Sequence, residues 1–254
     1  NRNMKKRKAG IGIFVIVLII TAVRVKSMDS HRISGRILAE NIAGPGMLRL
    51  VEQSMQAQAR KTSVTEIAVK ERKHPQAALT FDDGPDIRYT PLLLDGLKER
   101  NVRVSFFLLG EKVEQYPELV ERMQKEGHLV GNHTYHHVQL NKLNETKARE
   151  EILKTNNLIY ETTGVYPLYL RPPFGAWKKN LELCVEMLPV FWTIDTLDWK
   201  VQNTEKIVRT VQEQIEDGAI ILMHDEYDTS VEAALQVVDE LKNQGYELVT
   251  VDQL

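Results

Sequence analysis

Cysteine is almost absent: Cys184 is the only one in 254 residues. An internal disulfide is therefore excluded, and so is a cysteine-rich metal centre. Its neighbours Leu183 and Val185 are apolar, so Cys184 reads as a small core residue. Beyond the N-terminus a basic block is missing as well. The net charge is −2, with lysines and arginines spread among the acids, and no nucleic-acid partner is expected. Internal repeats and low-complexity tracts are lacking. The longest apolar run falls short of the ~20 residues typical of a membrane-spanning helix.

That run extends from Ala9 to Val23, between Lys5-Lys6-Arg7-Lys8 and the pair Arg24 and Lys26. A charged segment before an apolar one is an export signal. Thr21-Ala22-Val23-Arg24 runs into charge where a small-residue cleavage site belongs, so an uncleaved anchor is expected. Lys8, Arg24 and Lys26 can snorkel to cover the missing length. The positive flank keeps the N-terminus cytoplasmic and places the rest of the chain outside. Residues 1–26 thus read as a basic tail and transmembrane anchor at the cell membrane, and 27–74 as an extracytoplasmic stem. In the stem, Gly44-Pro45-Gly46 breaks any helix. Met47, Leu50, Val51 and Met55 then recur at helical spacing, and Val64–Val69 suits a short strand.

From residue 75 onward, apolar β-rich runs alternate with amphipathic segments. Strands are expected near Ala77–Phe81, Val102–Leu109, His128–Gly131, Leu168–Leu170, Val190–Ile194, Ala219–Met223 and Glu247–Val251. Helices are expected near Thr90–Lys98, Glu118–Lys125, Glu145–Thr162, Leu181–Met187, Thr204–Glu216 and Ser230–Asn243. Alternation of this kind predicts an α/β domain over 75–254 with a mostly parallel sheet of about seven strands. Periodicity alone leaves a barrel and an open sheet both standing.

Polar clusters fall at the carboxyl ends of five of these strands, where a parallel sheet collects its function. Asp82-Asp83-Gly84-Pro85 sets two acids side by side, although Asp-Gly and Gly-Pro are also plain turn chemistry. If the chain turns helical after Asn132, His133 and His137 share one helix face, with His136 pointing elsewhere. Two neutral imidazoles and a carboxylate, Asp83 or Asp82, would leave open positions on a catalytic metal ion. Arg171-Pro172-Pro173-Phe174 forms a rigid loop able to aim a backbone N–H into a cleft, while Arg171 can orient a carboxylate. Trp192, Asp195, Asp198 and Trp199 suit a sugar cleft. A buried strand delivers His224 to the rim, where an imidazole can donate a proton.

These motifs in this order, TFDDGP, H-x-x-x-H, R-P-P, D-x-x-D-W and L-x-H, resemble those of the NodB-type polysaccharide deacetylases, carbohydrate esterase family 4. The resemblance covers roughly residues 75–254. It implies a distorted parallel (β/α) barrel of about seven strands. It implies that Asp82 is the catalytic base, that Asp83, His133 and His137 bind one divalent metal, zinc first and cobalt as the alternative, and that His224 is the catalytic acid. Arg171 would support the base and Asp198 would tune His224. The Phe174 N–H would hold the oxyanion, with Trp199 and Leu222 lining the acetate pocket. A metal that polarises the acetyl group and brings the pKa of water toward ~7 makes amide hydrolysis feasible at neutral pH. The implied partner is an acetylated polysaccharide, N-acetylglucosamine in peptidoglycan first. Chitin-like glycans, poly-N-acetylglucosamine, acetylated xylan and a non-catalytic wall-binding role are the alternatives. The sequence departs from the family in carrying Phe174 where many members have tyrosine. Asp83 is intact where the spore-cortex muramic-acid branch tends to have asparagine.

Overall fold

Uncharged β-rich runs bury both faces only when other elements cover them, and the computed structural model arranges them accordingly. It describes residues 73–177 and 187–254. The strands are β1 (Gln76–Asp82), β2 (Ser105–Leu108), β3 (Leu129–Asn132), β4 (Tyr169–Leu170), β5 (Leu188–Pro189), β6 (Ile194–Asp195), β7 (Ala219–His224) and β8 (Glu247–Leu248). The helices are α1 (Thr90–Glu99), α2 (Gly110–Gln115), α3 (Pro117–Lys125), α4 (Glu145–Thr163), α5 (Asp198–Val201), α6 (Thr204–Gln214) and α7 (Asp228–Asn243). Strand order is β5-β4-β3-β2-β1-β7-β6, with β8 paired to the start of β1. Every pairing is parallel.

Side-chain alternation divides each central strand between two environments. Ala77, Leu79 and Phe81 of β1, with Ala219, Ile221 and Met223 of β7, join the main core beneath the helices. Ala78, Thr80 and Asp82, with Ile220, Leu222 and His224, occupy the alternate positions and turn toward the barrel interior. Register then sets Asp82 directly opposite both Phe107 and His224. Strand position alone brings two of the expected functional residues together.

Among the described residues the strand path ends at β5 and β6, so the barrel is a half-barrel. Arg171 lies across its interior, fully buried. Its Nη1 donates to Thr80 Oγ1 at 2.6 Å and Asp82 Oδ1 at 2.8 Å. On the far side, Nε and Nη2 donate to Val190 O at 3.4 Å and Phe191 O at 3.3 Å. One side chain thereby ties β4, β1 and the β5–β6 connection where no ladder does.

Helix ends follow local chemistry. Asn144 caps α4 by accepting from Lys147 N at 2.9 Å, and Gly164 ends that helix at φ 72°. Three expectations shift. The strand expected at Val102–Leu109 begins only at Ser105, because Val104 N donates to His128 Nδ1 at 3.1 Å. Leu188–Pro189 forms an unexpected strand, and the run Val190–Ile194 is irregular until β6 begins at Ile194. The short helices α2 and α5 also lacked a periodic signal, being under two turns long. The expected anchor, stem and most of the helix Leu181–Met187, including Cys184, lie outside the described residues. Among those described, no helix is long and apolar enough to cross a membrane.

Candidate active site

The β1 strand stops at Asp82, which is 3% exposed. Burial pushes its carboxyl above the ordinary carboxylate range, while the Arg171 charge and hydrogen bond pull the other way. Strand alternation would send Asp83 to the opposite face, and Gly84-Pro85 is where the sequence marks a turn that could bring it back. The structure places the change one residue earlier. Asp83 itself takes a left-handed backbone at φ 66°, a conformation that aspartate tolerates better than most residues. Both carboxylates therefore reach one cleft.

His133 and His137 also meet there, but no helix carries them. Residues 133–139 are irregular, and Thr134 and His137 have φ of 67° and 55°. The shared helix face is corrected to a loop knotted around Asn132. The Asn132 Oδ1 accepts from Thr134 N at 2.7 Å, and its Nδ2 donates to Ile152 O at 2.9 Å and Asn156 Oδ1 at 2.7 Å. These bonds favour a turn over the first turn of a helix. The two imidazoles sit with centroids 5.1 Å apart. His136 turns outward to Glu151 at 2.8 Å, as expected.

Asp83, His133 and His137 fit a divalent cation. One ligand atom from each lies within 4.8 Å of the others. Asp83 Oδ1 is buried without a hydrogen-bond partner, 3.4 Å from His133 Nε2 and 3.5 Å from His137 Nε2. Burial holds His133 neutral, with its pKa down at about 3. Its Nδ1–H donates to Arg171 O at 2.6 Å, which leaves the Nε2 lone pair facing the cleft. An orphaned carboxylate oxygen facing two imidazole nitrogens is the donor set of a cation site, not of a hydrogen-bond network.

Across the cleft, Asp198 is fully buried at the start of α5 and grips His224 at two points. Its Oδ2 accepts from His224 N, and its Oδ1 from His224 Nδ1, each at 2.8 Å. Burial disfavours the imidazolium, but the Asp198 bond and charge, helped by Asp82 and Asp83, outweigh it and push the pKa up to about 9. His224 Nε2 remains directed at the cleft, 3.9 Å from Asp83 Oδ2.

Phe174 follows Pro172-Pro173 and adopts φ 59°, a strained value for an aromatic residue. The residue is 62% exposed, its ring tilted on His137 with centroids 4.5 Å apart. Trp192, Trp199, Leu222 and Tyr227 complete the walls of a cleft of about 520 Å³. All ten expected site residues are brought together. Thr80, Glu226 and Tyr227 were not anticipated. Thr80 had a legible signal, since it shares the inward face of β1 with Asp82. Glu226 and Tyr227 simply continue past the β7 end.

The class is that of parallel half-barrels with a cleft at the carboxyl ends of the strands whose Asp-His-His group can hold a metal ion. The chain belongs to the polysaccharide deacetylase family: the family profile described as Polysaccharide deacetylase matches residues 69–190. The peptidoglycan-N-acetylglucosamine deacetylase PgdA of Listeria monocytogenes is 42% identical over 73% of this chain and 40% of its own length. A Bacillus cereus peptidoglycan-N-acetylglucosamine deacetylase is 40% identical over 70% of this chain and 68% of its own. The solved structure of peptidoglycan deacetylase PdaC from Bacillus subtilis superposes with a TM-score of 0.69 at 41% identity, covering 71% of this chain and 90% of that one. The match therefore spans about two-fifths of the Listeria relative's length.

Proposed function

We propose that this protein removes N-acetyl groups from peptidoglycan N-acetylglucosamine, releasing acetate. The observation that carries the reading is the orphaned Asp83 Oδ1 between His133 and His137, with buried Asp82 beside it and the doubly held His224 opposite. The names of the Listeria and Bacillus cereus relatives supply the substrate.

An amide carbonyl is a poor electrophile at neutral pH. A divalent cation held by Asp83, His133 and His137, which we take to be zinc with cobalt as the alternative, supplies the Lewis acidity that activates water and the acetyl group. Asp82 accepts the proton of the attacking water, and the Arg171 bond keeps its carboxyl oriented and offsets part of the cost of burying its charge. The Phe174 N–H, turned by the left-handed backbone, donates to the developing oxyanion, a contact worth ~3 kcal/mol. His224, charged at neutral pH, gives its proton to the departing sugar nitrogen. Trp199 and Leu222 bound the space for the acetyl methyl.

A second reading is deacetylation of N-acetylmuramic acid, supported by 43% identity to the Bacillus subtilis enzyme bearing that name. Acetate release from peptidoglycan, followed by mass spectrometry of digested muropeptides, separates the two. A free amine on glucosamine supports the first reading, and one on muramic acid overturns it in favour of the second. Release from neither sugar defeats both. We further propose that residues 9–23 anchor the chain with the catalytic domain outside the cytoplasm. Protease protection in intact spheroplasts would contradict this.

A further inference from the structure

We propose that Asp225 is a positioning residue that fixes Asp83 for the cation by clamping the 84–90 loop to the end of β7. The inference rests on the cation-site reading above and concerns a residue to which that reading gives no part.

Asp225 directly follows His224, beyond the strand end, and is fully buried. Its Oδ2 accepts from Thr90 Oγ1, and the same Thr90 oxygen accepts from Asp86 N at 2.7 Å. Asp86 in turn knits the loop, its Oδ1 accepting from Arg88 N at 2.8 Å and Tyr89 N at 3.1 Å. The segment after Asp83 is therefore stiff within itself, and the Asp225 carboxylate fastens it to β7. A second fastening is the bond from Leu109 N to Gly84 O at 3.3 Å.

Gly84 carries the same message. Its backbone is outside the left-handed region, so no dihedral demands a glycine. A Cβ there would lie 2.5 Å from Asp225 Oδ1 and 3.0 Å from Oδ2. The residue is small because a buried carboxylate packs flat against it, and the other half of that carboxylate holds Thr90. Asp83, the ligand, is one peptide away from this contact. His224 and Asp225 thus divide the β7 end between them: one faces the leaving group, and the other holds the ligand loop.

Outer partners that orient a metal ligand typically account for 10–100-fold in affinity. The test is zinc affinity of the full chain, measured by competition with a chromophoric chelator, with thermal unfolding in parallel. Asp225→Ala should raise the zinc Kd about ten-fold or more, whereas Asp225→Asn, which keeps the acceptor and the shape, should stay within about three-fold. Gly84→Ala should weaken zinc similarly to Asp225→Ala, because its Cβ meets the carboxylate. The double variant should be no weaker than the worse single one, since removing the carboxylate makes room for the new Cβ. Thr90→Val, isosteric, gives the same direction without a cavity. An unchanged Kd in Asp225→Ala and Thr90→Val, or strictly multiplicative losses in the double variant, would overturn the proposal. Failure of the wild-type chain to bind zinc would instead overturn the cation-site reading.

Discussion

At the scale of single residues, roles divide sharply between neighbours. Asp82 and Asp83 differ by one position, yet one pairs with Arg171 at 2.8 Å and the other keeps a buried oxygen free. Asp82→Asn should therefore leave zinc bound while turnover falls about a thousand-fold, the scale of a lost general base. His133→Ala should lose the zinc itself. Equal metal loss in both, read by elemental analysis after gel filtration, would contradict the division. His224 offers a pH test. With its pKa raised to about 9, the acid is charged at neutral pH, and kcat/KM should fall as pH rises through that value. Asp198→Asn removes the charge that holds it there, so the alkaline limb should move down toward the ordinary histidine value near 6.5. A limb that stays in place would remove His224 as the titrating acid.

At the scale of elements, legibility depended on what kind of rule set the geometry. Strand ends were readable, because apolar runs that stop on polar residues mark them, whereas the register that sets Asp82 opposite His224 was not. Nor was the Asn132–His137 loop. Its left-handed Thr134 and His137 carry no glycine to announce them, and the i, i+4 spacing mimics a helix face. Asp83 misled for a related reason: aspartate tolerates a positive φ, but its presence does not announce one. Arg171 was expected to orient a carboxylate and support the base, but its span across the half-barrel depends on long-range contacts that no local pattern encodes. That span carries a prediction. Arg171→Met leaves Asp82 buried without its partner and should cost about 3–5 kcal/mol of stability. Denaturant unfolding of the metal-free chain checks this, and a loss under 1 kcal/mol would mean that the β5–β6 side is held by other contacts. Phe174→Tyr, in contrast, should keep activity within about three-fold if, as proposed, the oxyanion donor is the backbone N–H, since removing such a donor costs far more. A large change would assign the reaction a dependence on the ring.

At the scale of the whole molecule, the half-barrel collects its chemistry at one end. Asp82 and His224 face each other across adjacent strands, β3 and its loop deliver two imidazoles, and β4 delivers Arg171 and the Phe174 turn. The main core beneath the helices contains none of the cation-site residues. Chelation should abolish activity while leaving the circular dichroism spectrum unchanged, and zinc should restore turnover. The most direct test of the account is acetate release by the zinc-loaded chain from peptidoglycan and N-acetylglucosamine oligomers. The account predicts stoichiometric acetate and free glucosamine amines, lost in Asp82→Asn with zinc still bound. No acetate from any acetylated glycan, with zinc confirmed in the site, would contradict it.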